Sequence, residues 1–388
     1  MRAAKQNGYV ILRCFLVTVF VTFIFMLPVC AKEESRLESI PEEYLELIDS
    51  LPPDVSDNLP QSMYSQDIDE MGEAVANMST ASSVLSFIAS LVSLGIKDAT
   101  VLLATLLGII VLSAVFSTFK TSFESESISR AVSISSSCAV FGSVIFTMSE
   151  HFDRVGELFD NLALIVNGMI PAMSVIYAMG GNVVTAVNSS TTLYVFIAFC
   201  EDICRTSILP VAALCTAFCL CGAISPDVKL GGISSAIKKG YTFVLGLIMT
   251  VLVAVLSAQT VLSASADGIS ARAAKLVAAN VIPIVGGSIG ETLRTVAASV
   301  GYIKSVCGVG AIIFIFILVL PTLVTLLLTR AVFIISVSIA DVLGCEREGR
   351  LLSELSSVYG MLIAVISMCS VMFVLALTVF VRCIVATG

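Results

Sequence analysis

The sequence predicts an all-α polytopic membrane protein, and three observations support that class. Of its 388 residues, 57% are hydrophobic and only 13% are charged, whereas a soluble domain carries about 25% charged residues. Uncharged runs long enough to cross a bilayer, which takes about 20 residues, recur along the chain. The runs do not show the short alternating pattern of a membrane β-barrel. They are 99–119, 131–149, 161–200, 206–226, 240–266, 305–329 and 355–381.

Residues 1–31 have the layout of a secretory signal peptide. Three basic residues precede an apolar run from Cys14 to Val29, and Ala31 is a small residue at its end. A basic region, an apolar region and a small residue at the cleavage site are typical of such signals. We expect cleavage after Ala31, with an uncleaved anchor helix or a lipoprotein signal at Cys30 as alternatives. The mature N-terminus is then outside the cytoplasm.

Residues 32–80 follow as an acidic exported segment with 13 acidic and two basic residues. Its stretch IPEEYLELIDSLP predicts one short helix with Ile40, Tyr44 and Leu47 on a common face. Two interpretations are open, a solvated spacer and a docking site for another protein. So acidic a surface disfavours anionic lipid and nucleic acid, and we expect no nucleic-acid partner.

Two similar stretches indicate an internal repeat. Asn167-Gly-Met-Ile-Pro171, followed by Gly180-Gly181, resembles Asn280-Val-Ile-Pro283, followed by Gly286-Gly287. Each copy would hold a spanning helix, a broken segment, a second spanning helix and a cytoplasmic amphipathic stretch. Placing the basic residues after the spanning helices in the cytoplasm makes the two copies parallel.

The predicted organisation follows from these features, with about 6–10 transmembrane helices in total. The segments are the signal peptide at 1–31, the acidic exported segment at 32–80, the first transmembrane helix with its flanks at 81–130, repeat 1 at 131–240, and repeat 2 with a terminal helix at 241–388.

The stretch NVIPIVGGSIGET, at 280–292, is the clearer of the two breaks. Ser288 and Glu291 have capping-box spacing, and Glu291 shares a polar face with Arg294. Non-helical backbone at membrane depth persists only inside protein or beside a water-filled cavity. The segment therefore either lines a conducting path or forms a re-entrant or interfacial hairpin that packs helices. The candidate break residues are Pro171, Gly180, Gly181, Pro283, Gly286, Gly287, Ser288, Glu291 and Arg294.

The sequence offers little support for enzyme chemistry. The only histidine, His151, lies in the amphipathic stretch HFDRVGELFD and is expected at a membrane surface. GGISSAIKKG lacks the residue order of a phosphate-binding loop. The cysteines from 200 to 221 have helical spacing but no accompanying histidine, so we interpret them as apolar packing residues. We expect no catalytic residue, cofactor or metal site, and we place Glu201, Asp202 and Arg205 in a short external loop.

Several stretches together resemble one known family. IPEEYLELIDSLP, GISARAAKL, NVIPIVGGSIGETLRTV and SVCGVGAI, in this order behind a signal peptide, are similar to the stage III sporulation protein AE family of endospore-forming Firmicutes. The resemblance covers nearly the whole mature chain and is strongest from Asp267 to Gly310.

The resemblance implies a component of a channel or secretion-like complex in the mother-cell membrane, linking the mother cell with the engulfed forespore and supporting late forespore development. The implied partners are other membrane proteins of the same sporulation operon, an ATPase subunit and a forespore-membrane protein, together with the lipid bilayer. A stand-alone secondary transporter and a non-conducting membrane scaffold are the alternative functions. The resemblance supplies no catalytic residues.

Overall fold

The computed structural model describes residues 40–119, 126–179, 183–224, 286–382 and most of 231–258. Every regular element in this part of the chain is a helix, which confirms the all-α prediction. Short helices come first and long ones follow. They are α1 (Glu42–Asp49), α2 (Pro53–Ser56), a 3-10 turn (Gln61–Tyr64), α3 (Ile68–Met78), α4 (Ala81–Phe119), α5 (Glu126–Met179), α6 (Val183–Ile224), α7 (Gly231–Leu252), α8 (Gly286–Val342) and α9 (Glu346–Arg382).

Five of the described helices are long and apolar enough to cross a membrane, which confirms the polytopic class. A sixth helix, α6, contains a shorter apolar stretch. The apolar runs predicted as separate at 131–149 and from 161 onward are joined, because α5 is one helix of 54 residues. At 1.5 Å per residue such a helix is about 80 Å long, and the hydrocarbon core of a bilayer is only about 30 Å thick. The helix therefore continues beyond the hydrocarbon core.

A tight turn joins α8 to α9 and makes them an antiparallel pair. The amide of Cys345 donates to the carbonyl of Ala340 at 2.9 Å, and the amide of Gly344 donates to that of Asp341 at 3.4 Å. This pairing is a Schellman motif, whose turn residue needs a left-handed conformation. Gly344 has a φ of 74° and meets that need because it lacks a Cβ. The two helices pack along much of their length and form the centre of the bundle.

Helix α4 runs parallel to α8 on the outside of that pair. Gly95 in its first half lies against Leu328 of α8. Near its other end, the carbonyl of Ile110 accepts from the thiol of Cys345 at 3.7 Å, in the turn after α8. The remaining long helices complete the bundle: α5 packs against α6 and α8, and α6 and α7 border α9.

The acidic segment is folded onto the bundle, so of the two interpretations left open the structure does not support a solvated spacer for residues 40–80. We call residues Ile40–Thr80, which comprise helices α1 to α3 and the chain between them, the cap. The three helices of the cap pack against α5 and α8. Ile40, Tyr44 and Leu47 are buried together, as their helical spacing predicts. The apolar side of each short helix thus faces the bundle, and the acidic side chains lie mainly outside.

Glycines allow the cap to approach the long helices closely. The phenol oxygen of Tyr44 occupies the space that a Cβ at Gly310 would need, and its ring stacks on Phe314 with centroids 6.4 Å apart. Leu47 fills the corresponding space beside Gly168 of α5. Burial, with a smaller contribution from Cys307, raises the pKa of Tyr44 well above its usual value. The side chain therefore stays neutral inside this contact.

Candidate functional site

The first predicted break does not lie at Pro171. Helix α5 continues through this proline and ends at Met179. A proline inside a helix removes one backbone hydrogen bond, and the surrounding packing compensates, since Met169, Ala172 and Met173 are buried. The end of the helix falls directly before Gly180 and Gly181, which lie outside the described residues.

Only the part of the second predicted break from Gly286 onward lies within the described residues, and that part is helical. Helix α8 begins at Gly286, so Gly287, Ser288, Glu291 and Arg294 all lie in its first turns. Ser288 is already helical and does not hold the N-cap position that the capping-box spacing predicts, because a cap residue lies just outside the helix. Pro283 lies outside the described residues, and the side chains of the first turns are likewise not described.

The charged residues Glu201, Asp202 and Arg205 lie on helix α6. This helix runs without interruption from Val183 to Ile224, so the prediction of a short external loop there is wrong. The sequence interpretation took charges as the end of a spanning segment. In the structure the helix simply continues through them.

His151 is buried between helices of the bundle, and its predicted place at a membrane surface stays a prediction. Its Nδ1 lies 2.9 Å from the phenol oxygen of Tyr359 in α9. The two rings meet edge to face, and Tyr359 makes a similar contact with Phe333 of α8. These contacts join helices α5, α8 and α9 at the same level along the bundle axis. No sequence signal pairs residues that are so far apart in the chain.

Two further polar contacts join α9 to its other neighbours. The hydroxyl of Ser113 in α4 donates to Glu348 at 2.7 Å, and this carboxylate is buried near the N-terminus of α9. A helix N-terminus stabilises an anion there. The ammonium of Lys238 in α7 lies 3.0 Å from Glu354, with the lysine almost wholly buried. Helix α9 therefore has one polar partner on each of α4, α5 and α7.

A polar cleft of about 340 Å³ opens between α4, α5 and α8, and we call it the α4–α5–α8 cleft. Asp98 lies on its α4 wall, while Glu150, His151 and Arg154 lie on its α5 wall. Arg154 and Glu150 form an ion pair at 2.7 Å. Side-chain hydroxyls complete the polar lining: Thr105, Ser143, Thr147, Thr325 and Thr329.

This cleft was not predicted, although part of its signal is visible in the sequence. On α5, Ser143, Thr147, Glu150 and Arg154 recur at the three- and four-residue spacing that places side chains on one face of a helix. A polar stripe of this kind on an apolar helix indicates a buried or water-filled contact. Which helices supply the opposite walls follows only from the tertiary structure.

Most of the described cysteines are buried apolar packing residues. Cys215 and Cys219, from the stretch predicted to pack, are buried, as are Cys307, Cys345 and Cys369, whereas Cys138 and Cys221 are exposed. Across the residues that the structure describes, no group of three or more His, Cys, Asp or Glu side chains is arranged to hold a metal ion.

Comparison with known proteins identifies the family. The profile of the stage III sporulation protein AE family matches residues 65–383, which include all the long helices and part of the cap. The chain belongs to this family. The resemblance seen in the sequence is thereby confirmed, and the chain is a sporulation protein with several helices long enough to span a membrane.

A curated relative agrees with the family match. The stage III sporulation protein AE of Bacillus subtilis (strain 168) is 20% identical over 284 residues, which is 72% of this chain and 70% of the relative. No solved structure matches the chain.

Proposed function

We propose that this chain is the integral membrane component of a channel or secretion-like complex that links the mother cell with the engulfed forespore and is required for late forespore development. Family membership supports a role in sporulation, and the five long apolar helices support a place in the membrane. The observation that carries the finer proposal is the cap, which is folded onto α5 and α8 and contains ten acidic and no basic residues. An acidic surface that is fixed in place on the bundle beside a membrane is suited to the recognition of another protein.

The proposal places the cap outside the cytoplasm, on the side of the mother-cell membrane that faces the forespore. Its partners are other membrane proteins of the same operon and a forespore-membrane protein, and an ATPase subunit supplies the energy. We assign no catalysis to this chain. Tyr64 is exposed on the cap beside Asp49 and Asp57. We include it in the proposed docking surface, since tyrosine is enriched among the residues that contribute most to binding at interfaces.

Deletion of the gene tests the proposed role directly. Sporulating cells that lack the chain are expected to complete engulfment and then arrest, which fluorescence imaging of forespore membranes and of a late forespore reporter will score. Reintroduction of the intact gene restores spores. Normal spore yield in the deletion strain contradicts the proposal.

A charge reversal on the cap tests docking separately from folding. Asp49→Lys combined with Asp57→Lys changes two exposed side chains on the cap. We expect lower co-purification of partner membrane proteins from sporulating cells and arrest after engulfment. The control is Asp341→Lys, which changes an exposed residue at the far end of α8. Equal behaviour of the two variants argues against the cap as a docking surface.

The α4–α5–α8 cleft favours a second candidate, a stand-alone secondary transporter, because ionisable residues within membrane-spanning segments often mark substrate pathways. Purified chain reconstituted alone into vesicles distinguishes the two functions. A transporter moves a solute across the vesicle membrane and loses activity in the Asp98→Asn variant. A component of a larger complex moves none, and co-purifies with other proteins when it is extracted from sporulating cells.

A further inference from the structure

We propose that the α4–α5–α8 cleft binds a ligand through a primary ammonium group, and neither family membership nor the proposed function assigns such a site. The cleft has the volume of a small-molecule site, about 340 Å³, within the usual range of about 300–1,000 Å³. Its polar lining comes from three helices. The proposal depends on which of these polar groups donate hydrogen bonds and which accept them.

Three hydroxyl groups of the cleft can only accept hydrogen bonds from a ligand, because their own protons are already donated. Thr105 donates its proton to the carbonyl of Val101 at 2.9 Å on its own helix. Ser143 donates to Val140 at 2.8 Å, and Thr329 donates to Thr325 at 3.0 Å. A hydroxyl has one proton and two lone pairs, so these three side chains retain only acceptor capacity. They therefore fit a ligand that donates hydrogen bonds.

The charges of the cleft also favour a cation. The guanidinium of Arg154 is neutralised by Glu150 at 2.7 Å. Asp98 makes no hydrogen bond or ion pair with any residue that the structure describes, and its carboxylate leaves the cleft with one net negative charge. An anion would add to that charge, whereas a monovalent cation would neutralise it. Charge-assisted hydrogen bonds to a carboxylate are about twice as strong as neutral ones.

His151 adds an imidazole to the polar lining of the cleft. It lines the cleft and is only 6% exposed. Its Nδ1 is bonded to Tyr359, so Nε2 is the ring nitrogen available to a cleft ligand. In the tautomer whose Nδ1–H donates to Tyr359, Nε2 carries a lone pair and can accept a hydrogen bond from that ligand. The site therefore combines an unpaired carboxylate, hydroxyl lone pairs and an imidazole nitrogen.

The same residues argue against two other kinds of cation. A transition-metal ion needs several imidazole, thiolate or carboxylate ligands at short range, and the described residues contain no group of three or more such side chains. A quaternary ammonium is recognised by the faces of Trp, Tyr and Phe rings, and none of these residues lines the cleft. A primary ammonium, with three N–H donors, matches the acceptors that are present.

A primary ammonium can come from an aminophospholipid headgroup or from a free amine. The rim of the cleft favours the lipid, because Val101 lines it and is 62% exposed. Leu94 and Leu112 extend this apolar surface along α4. Acyl chains would pack on α4 while the headgroup enters the cleft. The experiment distinguishes the two sources.

Native mass spectrometry of the full chain in detergent provides the test. Binding of phosphatidylethanolamine is compared with that of phosphatidylcholine, whose headgroup has no N–H donor. We expect phosphatidylethanolamine to bind about tenfold more tightly, and Asp98→Asn to remove about tenfold of that affinity. The control Asp153→Asn changes an exposed carboxylate of α5 outside the cleft and leaves binding unchanged.

A second arm tests the free amine. Ethanolamine and spermidine are added to the purified chain, and the melting temperature is measured for the wild type and both variants. Stabilisation that Asp98→Asn abolishes and Asp153→Asn does not supports the site with a free amine as its source. If neither lipid preference nor amine stabilisation is seen, or if both variants behave alike, the proposal is overturned. Asp98 has no partner among the described residues, so its substitution leaves the fold intact, and the same melting curves verify this.

Discussion

Helices α4 and α9 are both strongly apolar, yet they have opposite environments. Only 11% of the most apolar stretch of α4 is buried by the rest of the protein, compared with 78% of that of α9. Leu94, Val111 and Leu112 of α4 are exposed, whereas Leu362 and Ile366 of α9 are fully buried. Apolar composition predicts removal from water, and both lipid and protein satisfy that requirement.

Polar contacts with three neighbouring helices explain why α9 lies at the centre of the bundle. Glu348, Glu354 and Tyr359 lie along α9 and bind one residue each from α4, α7 and α5. Such contacts are directional, so they fix the position of each neighbour more strictly than apolar packing does. On the part of α4 that the structure describes, the side chain of Ser113 makes a polar bond to another long helix. A helix held in this way is expected to tolerate substitution on its lipid face.

The largest expected effect is the difference in lost stability between a leucine truncated in the core and a leucine truncated on the lipid face. Leu362→Ala opens a cavity in a fully buried position and is expected to lower the free energy of unfolding by about 2–5 kcal/mol. Leu112→Ala changes a side chain that is 55% exposed and is expected to cost less than about 1 kcal/mol, because lipid replaces the lost contact. Unfolding of the purified proteins by SDS in mixed micelles measures both. Equal losses contradict the difference between the two helices.

The next effect concerns the ion pair that joins α7 to α9. Glu354→Gln leaves the almost wholly buried ammonium of Lys238 without a carboxylate and is expected to cost about 2–3 kcal/mol, less than the 3–5 kcal/mol of a fully buried pair. Lys238→Met leaves Glu354, whose side chain is 35% exposed, in contact with solvent and is expected to cost about 1 kcal/mol. The same unfolding assay compares the two. If Lys238→Met loses more stability than Glu354→Gln, the lysine is not the more buried partner of the pair.

Much of the fold class was predictable from the sequence, because helical periodicity and long uncharged runs reflect local chemistry. The spacing of Ile40, Tyr44 and Leu47 predicts their common face, and the structure buries all three. What covers that face was not predictable, since Gly168 and Gly310 are distant in the chain and have no side chain to signal a contact. The sequence therefore left a solvated spacer open as one of two interpretations of the acidic segment.

The ends of the long helices were predicted less well, for a physical reason. Pro171 and the charged residues at 201–205 were read as interruptions, yet α5 and α6 run through them. One missing hydrogen bond or a few charges cost less than ending a long helix whose other residues are packed. The cleft was predictable only in part. The polar spacing on α5 is a local feature of the sequence, whereas the walls from α4 and α8 are brought to it only by the tertiary structure.

A smaller effect tests how closely the cap approaches α8. Gly310→Ala places a methyl group where the phenol oxygen of Tyr44 lies and is expected to cost about 1–3 kcal/mol. The next atom, Cζ of Tyr44, is 3.6 Å from that methyl group, an ordinary contact. Tyr44→Phe removes the oxygen and is therefore expected to restore most of the stability of Gly310→Ala. A double variant no more stable than Gly310→Ala contradicts this geometry, as measured by the same unfolding assay.

The smallest effect at neutral pH is that of Tyr44→Phe alone. The phenol oxygen of Tyr44 is buried without a hydrogen-bond partner among the described residues, so its removal is expected to be neutral or to stabilise by about 1 kcal/mol. Burial raises the pKa of this phenol in the folded state. Above the unfolded pKa of about 10, the unfolded chain loses this proton first, and the wild type is expected to lose about 1.4 kcal/mol of stability at pH 11 through this group.

Comparison of the two proteins from pH 8 to pH 11 isolates that contribution, because every other titrating group is shared. The stability difference is expected to be constant below pH 9 and to grow in favour of Tyr44→Phe as the pH rises through about 10. A difference that does not change with pH means that the phenol ionises equally in both states. The cap would then be open to water at Tyr44, unlike the core around α9, and the close contact with Gly310 would not hold in solution.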